Sequence, residues 1–182
     1  MARPSARPKL IEAALKVVEE RGVTALTLDA VAEEAGVTKR GLIYHFPSKH
    51  ALLAGIHEDL ANRSERDLLE ATGREPERAS LIERTRGYVR AALRSPSTAE
   101  MRLIIEAANE PEWMAPWMRV YRRWFPEEEQ AVRDLDEMAL RCLVARMAAD
   151  GVWGYQSTLP APMTAEDRER LLTAILQGLG DD

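Results

Sequence analysis

Residues 24–49 read TALTLDAVAEEAGVTKRGLIYHFPSK, which contains two short helical patterns separated by a glycine. In the first pattern, small apolar side chains recur at a spacing that puts them on one helical face: Leu28, Val31, Ala32 and Ala35. Gly36 supplies the backbone freedom that a tight turn between helices requires, and Thr38 is placed to cap the second helix. The spacing predicts a helix-turn-helix.

The second helix of this motif carries a polar face that suits DNA. A helix with such a face can lie in the major groove and meet base edges and phosphates. Lys39 and Arg40, at its exposed start, are the candidates for base contact, because a guanidinium binds guanine at two acceptors at once. The alternative for both is phosphate contact without sequence preference. The predicted DNA-contacting residues are Thr27, Thr38, Lys39, Arg40, Gly41, Tyr44, His45 and Lys49.

Length and charge are compatible with DNA binding. The 182 residues are 46% hydrophobic, enough for one ordinary domain or two small ones with a sizeable core. The net charge is −5, yet residues 1–50 carry eight Lys and Arg against six Asp and Glu, so the acidic excess belongs to residues 51–182. The acidic pI of about 5.4 therefore does not exclude phosphate binding by the N-terminal part.

The single cysteine, Cys142, excludes an intramolecular disulfide and fits a reducing cytoplasm. No run of about 18 apolar residues predicts a membrane span, and the N-terminus lacks the apolar core of a signal peptide. We expect a soluble, cytoplasmic protein. Arg3, Arg7 and Lys9 lie in a short tail that is either an arm reaching DNA or an inert extension.

The remaining sequence predicts helices, and no alternating strand pattern is found, so the expected fold is all-α with about nine helices. Gly22 ends a first helix over residues 8–21, and Ser48 caps a fourth helix after Pro47. Further helices are expected over residues 78–94, 98–109, 112–124 and 127–149, the last of these begun by Pro126 and ended by Gly151, and a final helix is expected from Thr164.

Residues 8–60 resemble the N-terminal domain of the tetracycline-repressor (TetR) family of bacterial regulators. The resemblance rests on KLIEAALKVVEERG, TLDAVAEEAGV, TKRGLIYHF and PSKHALL in that order. It departs at Arg40, where many members have glycine, and at Ile43, where a tyrosine is frequent. The resemblance implies a DNA-binding domain over residues 1–47, a helical effector-binding and dimerisation domain over residues 48–182, and a homodimer that reads a palindromic operator.

Residues 127–149 and the final helix are apolar over more than one face, which indicates burial on two sides. Pairing with a second subunit in a four-helix interface is one explanation, and burial within a single subunit is the other. The candidate interface residues are Val132, Leu135, Ala139, Cys142, Leu171, Leu172, Ile175 and Leu179.

The segment EPEWMAPWMRVYRRWF, residues 110–125, concentrates large side chains at helical spacing. It predicts either plain core or part of an apolar effector pocket. The candidate lining residues are Tyr88, Met101, Ile105, Trp113, Trp117, Tyr121, Trp124, Met147 and Trp153. Arg119, Arg122 and Arg123 would either meet an anionic head group or pair with surface acids.

An enzyme is not indicated. The histidines, His45, His50 and His57, lie in or just beyond the predicted head and away from Cys142, so they indicate neither a metal cluster nor a Cys/His nucleophile pair, and no cofactor motif is present. His50 and His57, seven apart on one helical face, leave a shared metal ion as an alternative. A helical interaction module is the alternative from another class. Repression, the expected role, and activation both fit the same mode of DNA binding.

Overall fold

In a computed structural model, which describes residues 6–94, 97–158 and 163–180, the chain is a set of α-helices joined by turns. The helices are α1 (Arg7–Arg21), α2 (Leu28–Ala35), α3 (Lys39–His45), α4 (Lys49–Thr72), α5 (Leu81–Arg94), α6 (Thr98–Ala107), α7 (Pro111–Trp124), α8 (Glu137–Thr158) and α9 (Ala165–Gly178). Short 3₁₀ turns lie at Val23–Ala25, Pro76–Arg78, Pro126–Glu129 and Val132–Asp134. No strand occurs in the described ranges, so the all-α prediction is confirmed.

Capping side chains set the start of α5. The Ser80 backbone N–H donates to Glu83 Oε2 at 2.8 Å, and the Glu83 backbone N–H donates to Ser80 Oγ at 3.3 Å. This reciprocal pair is a capping box. It moves the start of the helix from the predicted residue 78 to Leu81.

The predicted bounds of the helix over residues 127–149 are wrong at both ends. Pro126 opens only a 3₁₀ turn, and the chain is extended again at Gln130 and Ala131. The helix begins after Asp136, whose carboxylate accepts the Ala139 backbone N–H at 2.8 Å and caps α8. Gly151 does not end α8, because a glycine weakens a helix by only about 1 kcal/mol and neighbouring turns carry it through.

The packing of the helices divides the chain into two compact units. The first comprises Met1–Ala61 and Thr98–Trp117, and the second comprises Asn62–Ser97 and Met118–Asp182. The first unit therefore adds α6 and half of α7 to the predicted reading head. The functional division after residue 47 stays a prediction. No helix in the described part of the chain is long and apolar enough to cross a membrane.

The core of the first unit is built from α1 to α4 and α6. Of the apolar face predicted for α2, Val31, Ala32 and Ala35 are buried and Leu28 is half-buried. The fully buried side chains of this core include Leu10, Ile11, Val18, Val31, Leu42, Leu52, Ile56 and Leu103. Gly36 ends α2 with φ 64°, in the left-handed region that favours glycine. A Cβ at Gly55 would lie 2.5 Å from the Phe46 ring, so this glycine lets α4 approach the end of α3 closely.

The core of the second unit lies among α5, α8 and α9. Its buried apolar residues are Val89, Leu93, Cys142, Ala145, Ala149 and Leu179. A Cβ on Gly87 would clash with Thr72 Oγ1, so α5 meets the end of α4 at a position where a side chain does not fit. The unit also buries Arg84 and Arg146.

Candidate DNA interface and candidate effector site

Two threonine caps and one glycine hold the helix-turn-helix. Thr27 Oγ1 accepts the Ala30 backbone N–H at 3.1 Å, and Thr38 Oγ1 accepts the Gly41 backbone N–H at 3.1 Å. Ser48 Oγ accepts the Ala51 N–H at 3.0 Å and caps α4 in the same way. These caps, which the sequence predicts, satisfy N–H groups that the first helical turn leaves without a partner.

Helix α3 fully buries one residue and exposes most of its remaining surface. Leu42 is fully buried, whereas Lys39, Arg40 and Ile43 are exposed and Tyr44 keeps 85% of its surface open. An aromatic side chain this exposed contributes little to folding, and its ring and hydroxyl group are accessible on the open face of α3. His45 is half-buried, with its ring edge-on to Tyr44 at 5.1 Å between centroids.

The other residues predicted to contact DNA are also accessible. Thr27, Thr38, Gly41 and Lys49 are exposed. Of the three cations expected in a short tail, Arg3 lies outside the described residues, whereas Arg7 and Lys9 lie in the first turn of α1. The guanidinium of Arg7 lies 5.1 Å from the centre of the Phe46 ring. The DNA contacts themselves stay predictions.

Ion pairs connect the three helices of the head. Lys16 Nζ on α1 lies 2.6 Å from Glu34 Oε1 on α2, and this hydrogen-bonded carboxylate raises the pKa of the lysine. Lys39 Nζ at the start of α3 donates to Asp29 Oδ2 on α2 at 2.9 Å, with both side chains exposed.

Helix α6 is joined to the end of α1 by exchanged hydrogen bonds. Glu19 Oε2 accepts the Ala99 backbone N–H at 2.7 Å, in the first turn of α6. Arg102 Nη1 donates to the Val18 carbonyl oxygen at 3.1 Å, among the last carbonyls of α1. Each helix end therefore receives a partner from the other helix.

A buried imidazole lies between two indoles in the first unit. His57 is 0% exposed, and its Nδ1 accepts the Trp117 Nε1–H at 3.2 Å. Because an indole N–H only donates, the histidine proton sits on Nε2. The ring stacks on Trp113 with centroids 5.9 Å apart and planes at 19°. Burial lowers the pKa of His57 to about 4, so the ring is neutral at pH 7.

Two buried N–H groups in this cluster have no acceptor among the described residues. They are His57 Nε2 and Trp113 Nε1. Leaving a buried donor without an acceptor costs about 1 to 3 kcal/mol, so such groups call for an explanation. The sequence pattern could not reveal this cluster, because residues about 60 positions apart form it.

The second unit has an aromatic cluster that already holds a cation. The Arg146 guanidinium lies 3.9 Å from the centre of the Phe125 ring, and the Tyr88 ring meets Phe125 edge-on at 5.5 Å. Burial lowers the pKa of Arg146 to about 10, so its charge remains at pH 7. Arg84 Nη2 lies 2.6 Å from Glu127 Oε1.

The predicted lining residues fall into both units. Met101, Ile105, Trp113 and Trp117 belong to the first unit, and Tyr88, Tyr121, Trp124, Met147 and Trp153 belong to the second. Ile105 and Met147 are exposed, and Trp124 is fully buried core. Trp153 Nε1 donates to the Ser97 carbonyl oxygen at 3.0 Å.

Each of the three arginines of this region contacts a polar side chain: Arg122 and Arg123 pair with glutamates, and Arg119 with an asparagine. Arg123 contacts Glu65, Glu75 and Glu77 at 2.7 to 2.9 Å. Arg122 Nε lies 3.4 Å from Glu129 Oε1, and Arg119 Nη2 lies 3.4 Å from Asn62 Oδ1. These contacts agree with pairing to polar groups rather than with a head-group site.

The predicted dimer residues occupy different environments. Cys142 and Leu179 are fully buried in the unit's own core, so neither offers a side chain to a second subunit. Val132 is exposed, and the other predicted interface residues are half-buried: Leu135, Ala139, Leu171, Leu172 and Ile175. The predicted interface omits four large apolar residues of α8 that are exposed, which are Leu140, Val144, Tyr155 and Met147, the last of these predicted to line the pocket instead.

The remaining histidine, His50, does not form a metal site with His57. His50 Nε2 lies 2.8 Å from Glu112 Oε2 at the surface, whereas the His57 ring is buried against indoles. No group of three or more His, Cys, Asp or Glu side chains in the described ranges is arranged to hold a metal ion.

Two family models match the chain. The model described as "Bacterial regulatory proteins, tetR family" covers residues 10–56, and the one described as "Tetracyclin repressor-like, C-terminal domain" covers residues 83–179. The HTH-type transcriptional regulator BetI of Rhizobium meliloti (strain 1021) is 27% identical over 97% of this chain and 76% of its own length.

Solved structures show the same fold. A transcriptional regulator from Saccharomonospora viridis in complex with choline has a TM-score of 0.71 and 19% identity, covering 96% of this chain and 97% of that one. The multidrug binding protein EbrR complexed with imidazole has a TM-score of 0.56 and 21% identity, covering 95% of this chain and 96% of that one. At these identities the likeness concerns the fold alone.

Proposed function

Because the chain belongs to the tetracycline-repressor (TetR) family of DNA-binding transcriptional regulators, which are not enzymes, we propose that it is a ligand-responsive repressor. It binds a palindromic operator as a homodimer in the cytoplasm, and a small effector releases it. The observation that carries the proposal is the open surface of α3, with Tyr44 85% exposed beside Lys39 and Arg40.

The reading head divides its contacts between bases and backbone. Lys39 and Arg40 meet base edges in the major groove, where guanine offers two acceptors. Tyr44, His45 and Lys49 meet phosphates, which fix the register of the helix without carrying sequence information. Thr27, Thr38 and Gly41 complete the surface, with the two hydroxyl groups capping their helices.

The exposed apolar face of α8 supports a homodimer. Leu140, Val144, Met147 and Tyr155 follow one another at i, i+4, i+7 and i+15, which places them on one side of the helix. Covering such a face removes apolar surface from water. A two-fold dimer also places two recognition helices about 34 to 36 Å apart, as two half-sites of a palindrome require.

A charge in this face tests the dimer. Val144→Glu is expected to yield monomers in sedimentation experiments and to weaken operator binding, because a carboxylate would be buried in the interface. Ile105→Glu places the same charge on an exposed apolar residue of α6 and should leave the dimer intact. If Val144→Glu remains as dimeric as Ile105→Glu, the proposed interface is contradicted.

The effector carries a hydrogen-bond acceptor. His57 Nε2–H and Trp113 Nε1–H are buried donors without acceptors, and an effector's carboxylate or carbonyl oxygen would satisfy them. Two proteins of the same fold hold small molecules, choline in one and imidazole in the other. In the second unit, Arg146 already covers the face of Phe125, which does not favour a cationic effector there.

Release of DNA follows from the position of α4. This helix begins in the first unit at Lys49 and ends in the second unit at Thr72, so a shift along it alters the spacing of the two heads. The effector achieves this only as far as it binds the DNA-incompetent state more tightly. Equal effector affinity with and without operator would contradict the switch.

Paired probes test the effector's head group. Benzoate against benzylammonium, and decanoate against decyltrimethylammonium, compare an acceptor with a cation on the same apolar body. If benzoate or decanoate binds, it is expected to raise the melting temperature of the wild type. The same probe should not stabilise His57→Leu, which lacks the Nε2–H donor. Stabilisation by the ammonium members alone would contradict an acceptor-bearing effector.

The function itself is tested by selecting bound duplexes from a random-sequence pool at physiological salt. We expect an inverted repeat to be enriched by the wild type and lost in the Lys39→Ala, Arg40→Ala double variant. Arg90→Ala, an exposed change on α5, is the matched control and should keep the enrichment. Absence of enrichment by a folded dimer would favour an interaction module instead. A reporter gene behind the selected site separates repression from activation.

A further inference from the structure

A carboxylate lies beside the recognition helix, on a surface that the proposed function turns toward DNA. Asp29, in the first turn of α2, accepts a hydrogen bond from Lys39 Nζ at 2.9 Å. Both side chains are exposed, so the pair adds little to stability. An acidic group close to phosphates opposes binding. In the first turn of α2 the carboxylate also complements the positive end of the helix dipole, and its contact with Lys39 has a consequence for DNA binding as well.

The pair restricts a flexible side chain. An ammonium has three donors, and the bond to Asp29 uses one of them, which leaves two for acceptors on DNA. A lysine loses side-chain entropy when it is fixed, and Asp29 fixes part of the side chain before DNA arrives. The held ammonium has less freedom to reach whichever phosphate is nearest.

The charge of Asp29 also distinguishes the two kinds of DNA contact. A phosphate that approaches Lys39 carries a full negative charge and meets the carboxylate at close range. Guanine O6 and N7 are neutral acceptors, which a carboxylate repels far less. The Asp29–Lys39 pair therefore weakens contacts of Lys39 with phosphate more than contacts with a base edge. Repulsion of phosphate in this way raises specificity.

We propose that Asp29 is a specificity-determining residue, which positions Lys39 for a base edge and penalises its use as a phosphate contact. This rests on the proposed function as a DNA-binding regulator. Arg40, the next residue of α3, has no ion-pair partner among the residues the structure describes. The two adjacent cations of the recognition helix thus differ, one held by a carboxylate and one not.

The test compares Asp29→Asn with Glu33→Gln. Glu33 is exposed on α2, one turn beyond Asp29, so both variants remove one negative charge from the same helix. Duplex selection gives the preferred site of the wild type, and dissociation constants are then measured on that site and on a scrambled duplex at several salt concentrations. Circular dichroism confirms that each variant is folded.

Asp29→Asn is expected to bind scrambled duplex about threefold more tightly, because a repulsive charge is gone. The ratio of specific to scrambled affinity should fall about tenfold, with relaxed preference at a single base pair. Glu33→Gln should tighten both duplexes alike and leave the ratio unchanged. Lys39→Met alone should lose the preference at that same base pair. Adding Asp29→Asn to Lys39→Met should then relax the base preference no further.

Equal ratios and equal base preferences for Asp29→Asn and Glu33→Gln would overturn the inference while leaving the regulator proposal intact. A further loss of base preference from Asp29→Asn in the Lys39→Met background would also overturn it, because Asp29 would then act without Lys39. If the folded wild type enriches no sequence at all, the proposed function fails, and this inference fails with it.

Discussion

The two units of this chain differ in what they bury. Among its described residues, the first unit buries aliphatic and aromatic side chains and a single polar one, the neutral His57. The second unit buries Arg84 and Arg146 together with Thr85. An apolar core needs only the right shape and volume, whereas a buried cation needs specific partners. The first unit should therefore respond to changes in volume and the second to changes in pairing.

Truncation in the apolar core should have the largest effect. Leu42→Ala is expected to lower the free energy of unfolding by about 3 kcal/mol, because it opens a cavity under the recognition helix. Urea denaturation followed by circular dichroism measures it. Ile43→Ala, next in sequence and exposed, should cost less than about 1 kcal/mol. Similar losses for both would mean that α3 is not anchored as described.

Acid should act on the first unit through His57. Its pKa is about 4 in the folded chain and near 6.5 when unfolded, so the unfolded state binds more protons as pH falls below 6.5. Stability is therefore lost progressively between pH 6.5 and pH 4. From pH 7.5 to pH 4.5 the wild type should lose about 2 to 3 kcal/mol more than His57→Leu. Parallel pH profiles from denaturant titrations would contradict this.

Breaking a buried pair tests the second unit. Arg84→Met should lower the free energy of unfolding by about 2 kcal/mol, because Glu127 and the Trp124 carbonyl oxygen lose their donor. Adding Glu127→Gln should recover part of this loss. Arg90→Met, an exposed change on the same helix, should stay within about 0.5 kcal/mol. If chemical denaturation gives the same free energy of unfolding for Arg84→Met and Arg90→Met, the contrast between the two units is refuted.

The exposed face of the head should affect DNA binding and not folding. Arg40→Ala is expected to cost about 1 to 2 kcal/mol on the selected site and to relax one base position. Lys49→Ala should cost less than about 1 kcal/mol on every sequence and reduce the salt dependence by about one charge. Both variants should unfold like the wild type. Equal effects of both on specific and random duplex would refute this division.

The parts of the fold that sequence predicts are those whose causes are local. Thr27, Gly36, Thr38 and Ser48 each act on a backbone group within four residues, so the pattern alone locates the helix-turn-helix. Periodic apolar spacing likewise predicts which residues of the head are buried.

Predictions from sequence fail where residues far apart in the chain determine a helix boundary or the burial of a side chain. The start of α8 follows the cap at Asp136, which prevailed over the proline and acids at Pro126. In a helix that is apolar all round, composition does not reveal which face turns toward the unit's own core, and Cys142, a candidate for the interface with a second subunit, is buried in that core. Arg84 and Arg146 look like surface residues by type. Only the fold reveals the partners of Arg84 and Arg146, which lie about 20 to 60 positions away.

The exchanged bonds between α1 and α6 limit how this protein can be recombined. A chimaera that borrows residues 1–47 alone would bring Val18 without Arg102, and Glu19 without the N–H of Ala99. It would also leave bare the surface of α1 that packs against α6. The smallest portable module of this chain is therefore discontinuous, two stretches of sequence separated by the α5 segment. New DNA specificities are better engineered by substitution on α3 than by exchange of the head.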